Sequence, residues 1–410
     1  MKATNISKLP TFDIAIIGGG FSGILTLANA IRFAKKPLNI ALFSRSNLAH
    51  GAAYSTRDIH HLLNVPAHNM SAFPDAPTHF VDWLATQPDT KHYLPTDFVP
   101  RLIYGDYLDL ILEASLEAAH EVTLIEEEVT SIDASRTITT ASEQCTAKRI
   151  VLALGNEAAQ QKSTGTTITP WELFDHPLPA NDQNVVIMGA GLTGVDAFLT
   201  LRSRGFTGKI YLVSRSGRIP QNHLKDPQKY AWEAPFPQRL SELLRSVKRA
   251  AKAHGRWQEV VDSLRPFLQG IWAIQPIATR RLFLNKYFGL WNIHRHRMAP
   301  QIWEQLQADT NLEILSTRKK ALPQAALTIH CIGQEYRTKT LRNPLVQQLL
   351  RDGLISEHET GFGVKADGFN VGKHLYAIGP LLIGELLETT AVPELRSQAS
   401  DIARAVIDSL

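Results

Sequence analysis

Two glycine clusters carry the clearest chemistry in this 410-residue chain. Gly18, Gly20 and Gly23 stand in the spacing GxGxxG, and Gly189, Gly191 and Gly194 repeat it. Between a strand and a helix, the first glycine of such a set allows the tight turn and the second lets a pyrophosphate approach the backbone. The third lets helix and strand pack closely. The helix N-terminus then offers amide donors and positive potential to phosphate oxygens. The pattern predicts two dinucleotide sites.

The residues just past each second strand decide which dinucleotide is held. An unphosphorylated ribose is usually bound there by Asp or Glu, about 20 residues after the glycines. This sequence instead has Ser44-Arg45 in the first unit and Ser214-Arg215 in the second, with Arg218 close behind. In the second unit, guanidinium groups suit the 2′-phosphate of NADPH, which a carboxylate would repel. FAD is expected in the first unit. Ser44 offers one hydrogen bond where a carboxylate could hold two hydroxyls, and Arg45 could face a phosphate or the adenine.

The elements needed to place these residues are legible. FDIAIIGGGFSGILTLANAIR reads as strand, glycine turn and helix, and LNIALF (38–43) as a second strand. NVVIMGAGLTGVDAFLTLRSRG (184–205) and KIYLVSRSG repeat that order, down to an SRS tripeptide after each second strand. The prediction is an α/β protein with two Rossmann-type three-layer nucleotide-binding domains, one for FAD and one for NADP. An aromatic, Pro- and His-rich excursion (54–107) should lie over the first sheet, and RIVLALG, ending at Gly155, should close the first half. A tryptophan-bearing helical insertion is expected over about 223–300 of an NADPH domain at 181–333, which ends in LTIHCIG. HLYAIG (374–379) would return the chain, so the FAD domain is expected to be discontinuous, 1–180 and 334–410.

The composition fits a folded chain, with 44% hydrophobic and 20% charged residues. A formal charge of +4 without runs of like charge points away from nucleic-acid and membrane partners. Cys145 and Cys331 form no CxxC, which argues against dithiol chemistry. His60, His61 and His68 lack the carboxylate or cysteine that a metal site needs, so no metal is expected. The short apolar run Ile14–Ile17 is unlike a secretory segment, and a cytoplasmic location is the expectation.

Longer strings add a resemblance. These are GAAYST (51–56), HLLNVPAHNMSAFPD (61–75), FVPRLIYGDYL (98–108), RHRMAP (295–300), HCIG (330–333) and IGPLLIGELLETTAVPELRSQ (378–398). With them the chain resembles a bacterial family of two-Rossmann FAD/NAD(P)-binding oxidoreductases with a urate-hydroxylase-type FAD domain. Flavin-dependent N-hydroxylases are more distant relatives. The resemblance implies that Gly51 and Tyr54 lie beside FAD and that the Asn64-Val65-Pro66 turn lines the flavin ring. It also places Gly155 among the FAD contacts, and Arg101 and Tyr104 at the border of the cavity. Gly379 would approach the ribityl chain, with backbone amides near Leu381 replacing the usual acid.

The expected reaction runs from NADPH to flavin to molecular oxygen, with a flavin hydroperoxide passing one oxygen atom to a small anionic or amine-bearing substrate. A reductase without oxygen transfer would need the same two sites, and a nucleotide-binding redox sensor would retain them without turnover. No catalytic residue is identified by sequence. Arg295 and Arg297, in the densest basic cluster (294–297), join Asn64, Arg101 and Tyr104 as residues that could line the cavity. Successive side chains point different ways, so one or two of these arginines at most could clamp a carboxylate.

Overall fold

The structure, a computed structural model, describes residues 9–46, 48–157, 166–232, 237 and 239–410. Strand β1 (Thr11–Ile17) is apolar almost throughout because both its faces are covered. Ile14 and Ile16 enter one core with helix α1 (Phe21–Phe33), while Phe12, Ala15 and Ile17 enter another on the opposite face. From Ile14 to Ile17 this is the period of two expected of a central strand, and Phe12 at the strand start departs from it.

Around β1 stand β2 (Asn39–Phe43), β3 (Glu121–Ile125), the antiparallel arm β4 (Ser131–Ile132) and β5 (Thr137–Thr139), and β6 (Gln144–Leu152). The second sheet holds β7 (Thr167–Ile168), β8 (Val185–Met188), β9 (Ile210–Ser214), β10 (Leu312–Ser316) and β11 (Leu327–His330). The chain then returns to add β12 (Asn370–Gly372) and β13 (Leu375–Ala377) to the first sheet. The main path of the first sheet runs β12-β13-β6-β1-β2-β3, and the second runs β10-β9-β8-β11-β7. All pairs of the second sheet are parallel, as are β13 to β3 along the first. Strand order reverses at β1 and again at β8, so each sheet opens a crevice at the carboxyl end of its glycine-bearing strand. Strand β7, ahead of residue 181, hydrogen-bonds into the second sheet beside β11.

Four more elements frame the sites. These are α2 (Gly51–Tyr54), α3 (His79–Thr86), α4 (Arg101–Leu116) and, in the second unit, α5 (Leu192–Ser203). Helix α1 packs against the C-terminal helix Val392–Asp408 through Ile24, Leu27, Leu395 and Ile402. The excursion between β2 and β3 covers that side of the first sheet, and it also reaches α5. Arg101 of α4 donates to Asp196 of α5 at 2.6 Å and to the Leu62 carbonyl. His61 meets the Asp196 carbonyl and Thr200, and Ser203 donates to Asp58. Glu157, on the outgoing crossover, accepts the amides of Arg342 and Asn343 on the returning one.

The insertion forms the helices Leu240–His254, Trp257–Asp262, Leu268–Ala273, Ile277–Lys286 and Phe288–Arg295. Its core of Leu243, Leu268, Trp272 and Phe283 closes on Phe362, Ile383 and Leu387 of the first unit. Three of the tryptophans pack and satisfy their single donor. Trp272 donates to the Gly384 carbonyl, Trp232 to Ser263 and Trp291 to Glu388. Among the described residues no helix is long and apolar enough to cross a membrane, and no group of three His, Cys, Asp or Glu is placed to hold a metal. His60 bonds Asp58, whose other oxygen lies 3.9 Å from His61, and His68 bonds the Pro95 carbonyl.

Trp272 is 2% exposed and joins insertion to first unit. Trp272→Ala is expected to lower unfolding free energy by about 3–5 kcal/mol, read from urea denaturation.

Candidate functional site

The two glycine turns have the same geometry. Gly18 has φ +117° and Gly189 +116°, and a Cβ on either would fall 2.3 Å from the Ala153 carbonyl oxygen or 2.0 Å from that of Cys331. A Cβ on Gly23 would lie 1.8 Å from the Gly18 oxygen, and one on Gly194 2.0 Å from the Gly189 oxygen. Neither contact tolerates a side chain. The middle glycines differ: Gly20 faces only the Gly51 backbone, its Cα 3.4 Å from a notional Cβ, and Gly191 meets nothing within 4 Å. These open middle positions fit a pyrophosphate approaching the backbone. Gly20 and Gly191 are also the N-caps of α1 and α5, so no capping side chain occupies the first-turn amides, and neither first turn contains an acid. The residues present therefore fit a dinucleotide pyrophosphate at the start of each helix.

Beyond the second strands the two units diverge. Ser44 is buried and commits its hydroxyl to the Ser46 carbonyl at 3.1 Å. Arg45 pairs with Glu128 at 3.2 Å on the surface. Ser214 likewise donates to the Arg218 carbonyl. Arg215 and Arg218, however, are exposed and have no carboxylate partner among the described residues. Two exposed guanidiniums without a carboxylate partner among the described residues thus follow the second strand of the second unit.

Around the start of α1 the structure gathers several residues singled out in the sequence. The Ala49 amide, at φ +65°, donates to the Gly19 carbonyl at 2.7 Å and holds Gly51 against Gly20. Tyr54, Phe21 and Tyr104 form a triangle of tilted rings, with Tyr54 at centroid distances of 5.9 and 4.7 Å from the other two. Gly379, at φ +81°, lies close to Ser22 and the Thr389 carbonyl, and its amide is taken by buried Gln398 at 3.2 Å. Gly155 has open space where a Cβ would stand. Leu381 is buried, and its carbonyl accepts from Val364.

Asn64, Arg295 and Arg297 belong to a second group. The Asn64 carbonyl accepts from His223 Nε2 at 2.9 Å, Val65 packs into the first core, and Arg297 pairs with Asp262 beneath the Trp257 ring. Burial and Arg297 push His223 down to about 4. Burial and Arg295 push His296, which keeps some accessible surface, down to about 3. Glu388, Thr389, Glu394 and Arg396 complete this group. They were not singled out in the sequence, although all four lie in the long string 378–398. Two sequence candidates hydrogen-bond elsewhere, although Tyr104 lies within electrostatic reach of Arg396 and Arg101 within that of Tyr54. The Arg101 guanidinium turns to Asp196 of α5, and Tyr104 is fully buried with its hydroxyl on the Met70 carbonyl at 2.9 Å.

Two outcomes are expected from this geometry. Gly23→Ala should fail to hold the first turn, whereas Gly191→Ala should fold with an unchanged Tm and lose nucleotide affinity, read by thermal melts and calorimetry. His223 titrates at about 4 when folded against 6.5 in an open chain, so between these values the unfolded chain binds more protons. Stability present above pH 6.5 is therefore lost as pH falls toward 4, and His223→Gln should make the urea midpoint fall less steeply across that window.

Residues 15–157 match the FAD-NAD(P)-binding family. No curated protein sequence matches the chain. Among solved structures, ornithine hydroxylase from Pseudomonas aeruginosa is 14% identical with a TM-score of 0.62, over 97% of this chain and 99% of that one. L-lysine 6-monooxygenase from Pseudomonas syringae is 13% identical with a TM-score of 0.65, over 97% and 100%. Lactococcus lactis thioredoxin reductase is 11% identical with a TM-score of 0.51, over 97% and 100%. At these identities the likeness is one of fold. The chain thus carries an FAD-NAD(P)-binding domain at residues 15–157, within the two-Rossmann α/β fold shared by flavin monooxygenases and thioredoxin reductases.

Proposed function

We propose that the protein is an FAD-dependent NADPH oxidoreductase that uses molecular oxygen to hydroxylate a small anionic or amine-bearing substrate. The observation that carries this reading is the pair of equivalent glycine turns, each opening an uncapped helix, in two sheets tied together by Arg101 and Asp196. When bound, the flavin supplies the electron transfer between NADPH and oxygen. The protein's own residues bind and orient. Amides of the first turn of α1, with Gly20 and Gly51 leaving room, hold the FAD pyrophosphate. Amides of α5 hold that of NADPH, and Arg215 and Arg218 take its 2′-phosphate in charge-assisted hydrogen bonds.

The Arg101–Asp196 bridge, at 2.6 Å and largely buried, fixes the NADPH helix against the segment that carries the Asn64 turn. His223 stays neutral at ordinary pH, so its Nε2–H donates to the Asn64 carbonyl and steadies that turn. The aromatic core of Tyr54, Tyr104 and Phe21 keeps water from the floor of the site.

One observation favours a different reading. Ser44 has its hydroxyl committed to Ser46, which leaves the FAD ribose without the usual carboxylate. A redox sensor that binds nucleotide without turnover would tolerate this.

The test is to purify the protein without air and add NADPH or NADH to it. A yellow protein that NADPH bleaches faster than NADH, and that air restores, supports the oxidoreductase. A colourless protein that stays so after addition of FAD favours the binding module. Incorporation of labelled oxygen into product separates hydroxylation from plain reductase activity. The double substitution Arg215→Ala with Arg218→Ala should raise KM for NADPH about tenfold or more and leave that for NADH nearly unchanged, read by steady-state kinetics.

A further inference from the structure

Where the insertion helices face the segment after Gly379, four guanidiniums meet three carboxylates. Arg297 pairs with Asp262, and Arg265 with Glu394 at 2.5 Å. Arg295 reaches Glu388 at 3.5 Å and Glu394 at 3.6 Å, contacts that are ionic but too long for good hydrogen bonds. Arg396 has no carboxylate partner among the described residues and donates only to the carbonyls of Asn69 and Ser71. His223 and His296 are neutral at ordinary pH. The cluster therefore carries one positive charge more than it neutralises, in surroundings where an unpaired charge is costly.

It also holds polar atoms with no hydrogen-bond partner among the described residues: Nη2 of Arg295, which has only the 3.6 Å ionic contact to Glu394, Nε of Arg297, Oγ1 of Thr389 and Oε2 of Glu394. Arg295 is 9% exposed and Thr389 1%. Buried polar groups are nearly always hydrogen-bonded, so several orphans on facing segments mark the place of a polar ligand. The location suits one. The Glu388 carbonyl accepts from Gln398, whose other end takes the Gly379 amide, and the Thr389 carbonyl lies beside Gly379.

We propose that this cluster is the substrate subsite and takes a single carboxylate whose neighbouring carbon carries a hydroxyl. Arg295 Nη2 and the Thr389 hydroxyl donate to the carboxylate, and Glu394 Oε2 accepts from the substrate hydroxyl. A monoanion cancels the surplus charge. An α-amino acid is a zwitterion and leaves it uncancelled, and a phosphate dianion overshoots it. The inference rests on the flavin reading of the Gly379 side, and its test is arranged to fail separately.

The holoprotein is titrated by calorimetry with lactate, lactamide, alanine and inorganic phosphate. Lactate is expected to bind with a Kd of about a millimolar, as so small a ligand allows, and the other three about tenfold more weakly or not at all. Thr389→Val should weaken lactate about 2–10-fold with the flavin retained. Arg295→Lys, which keeps the charge but loses the fork, should weaken it about tenfold or more, and Thr389→Val decides the matter if that variant fails to fold. Equal binding of lactamide, alanine or phosphate overturns the assignment, as does the absence of heat with lactate. Loss of FAD from Thr389→Val would assign the hydroxyl to the flavin and overturn it too. A yellow protein that ignores lactate sinks this subsite alone. A colourless protein that binds lactate in the expected pattern sinks the oxidoreductase reading and leaves the subsite standing.

Discussion

Each nucleotide turn is built around a carbonyl that occupies the space where a side chain would be. The Gly18 oxygen lies under Gly23 and the Gly189 oxygen under Gly194, so the helix can start only if no Cβ stands there. That contact fixes the angle at which α1 and α5 leave their strands. The angle in turn aims the first-turn amides over the carboxyl edge of each sheet. Everything that reads as nucleotide chemistry in this protein depends on it. The same packing joins each turn to the strand across the switch point, through Ala153 in one sheet and Cys331 in the other.

Two such units are useful to one another only if their open edges meet, and polar links between them stand beside Leu62 and Phe98, which pack on the second unit's core. On one side Asp58, His61 and Arg101 grip α5. On the other, Glu157 caps the returning crossover with both carboxylate oxygens. Hydrogen bonds have angular demands that apolar contacts lack, so these links specify an orientation as well as a contact. The insertion adds the apolar part, closing Trp272 and Leu268 over Ile383 and Leu387. Residues from the excursion, the insertion and the C-terminal segment thereby come to surround one partly buried group of charges.

The two ribose ends show how a small change of neighbourhood changes what an arginine can do. Arg45 and Arg215 follow equivalent strands and equivalent serines, yet Glu128 neutralises the first and nothing among the described residues neutralises the second. An exposed ion pair is worth little to stability. Its effect here is electrostatic, because it removes from one site the positive field that the other keeps. The charge difference between the two nucleotide sites thus arises outside the repeated motif.

The repeated strand, turn and helix, the parallel sheets and the helical insertion were legible from residue order alone. Glycine spacing and apolar periodicity are local properties, and the backbone contacts they require permit few alternatives. Gly18, Gly23, Gly189 and Gly194 could be assigned for that reason. Arg101 and Tyr104 show the limit: their string is distinctive, but only packing turns one toward Asp196 and folds the other into an aromatic core. Glu388, Thr389, Glu394 and Arg396 were invisible as a site because their partners lie in segments as distant as Asn69 and Arg265. Residue order was enough to locate the two glycine turns and the helices they open, since these depend on backbone shape within some thirty residues. Which charges meet and which stay unpaired emerged only from the folded chain, since it depends on segments brought together when both sheets and the insertion have closed.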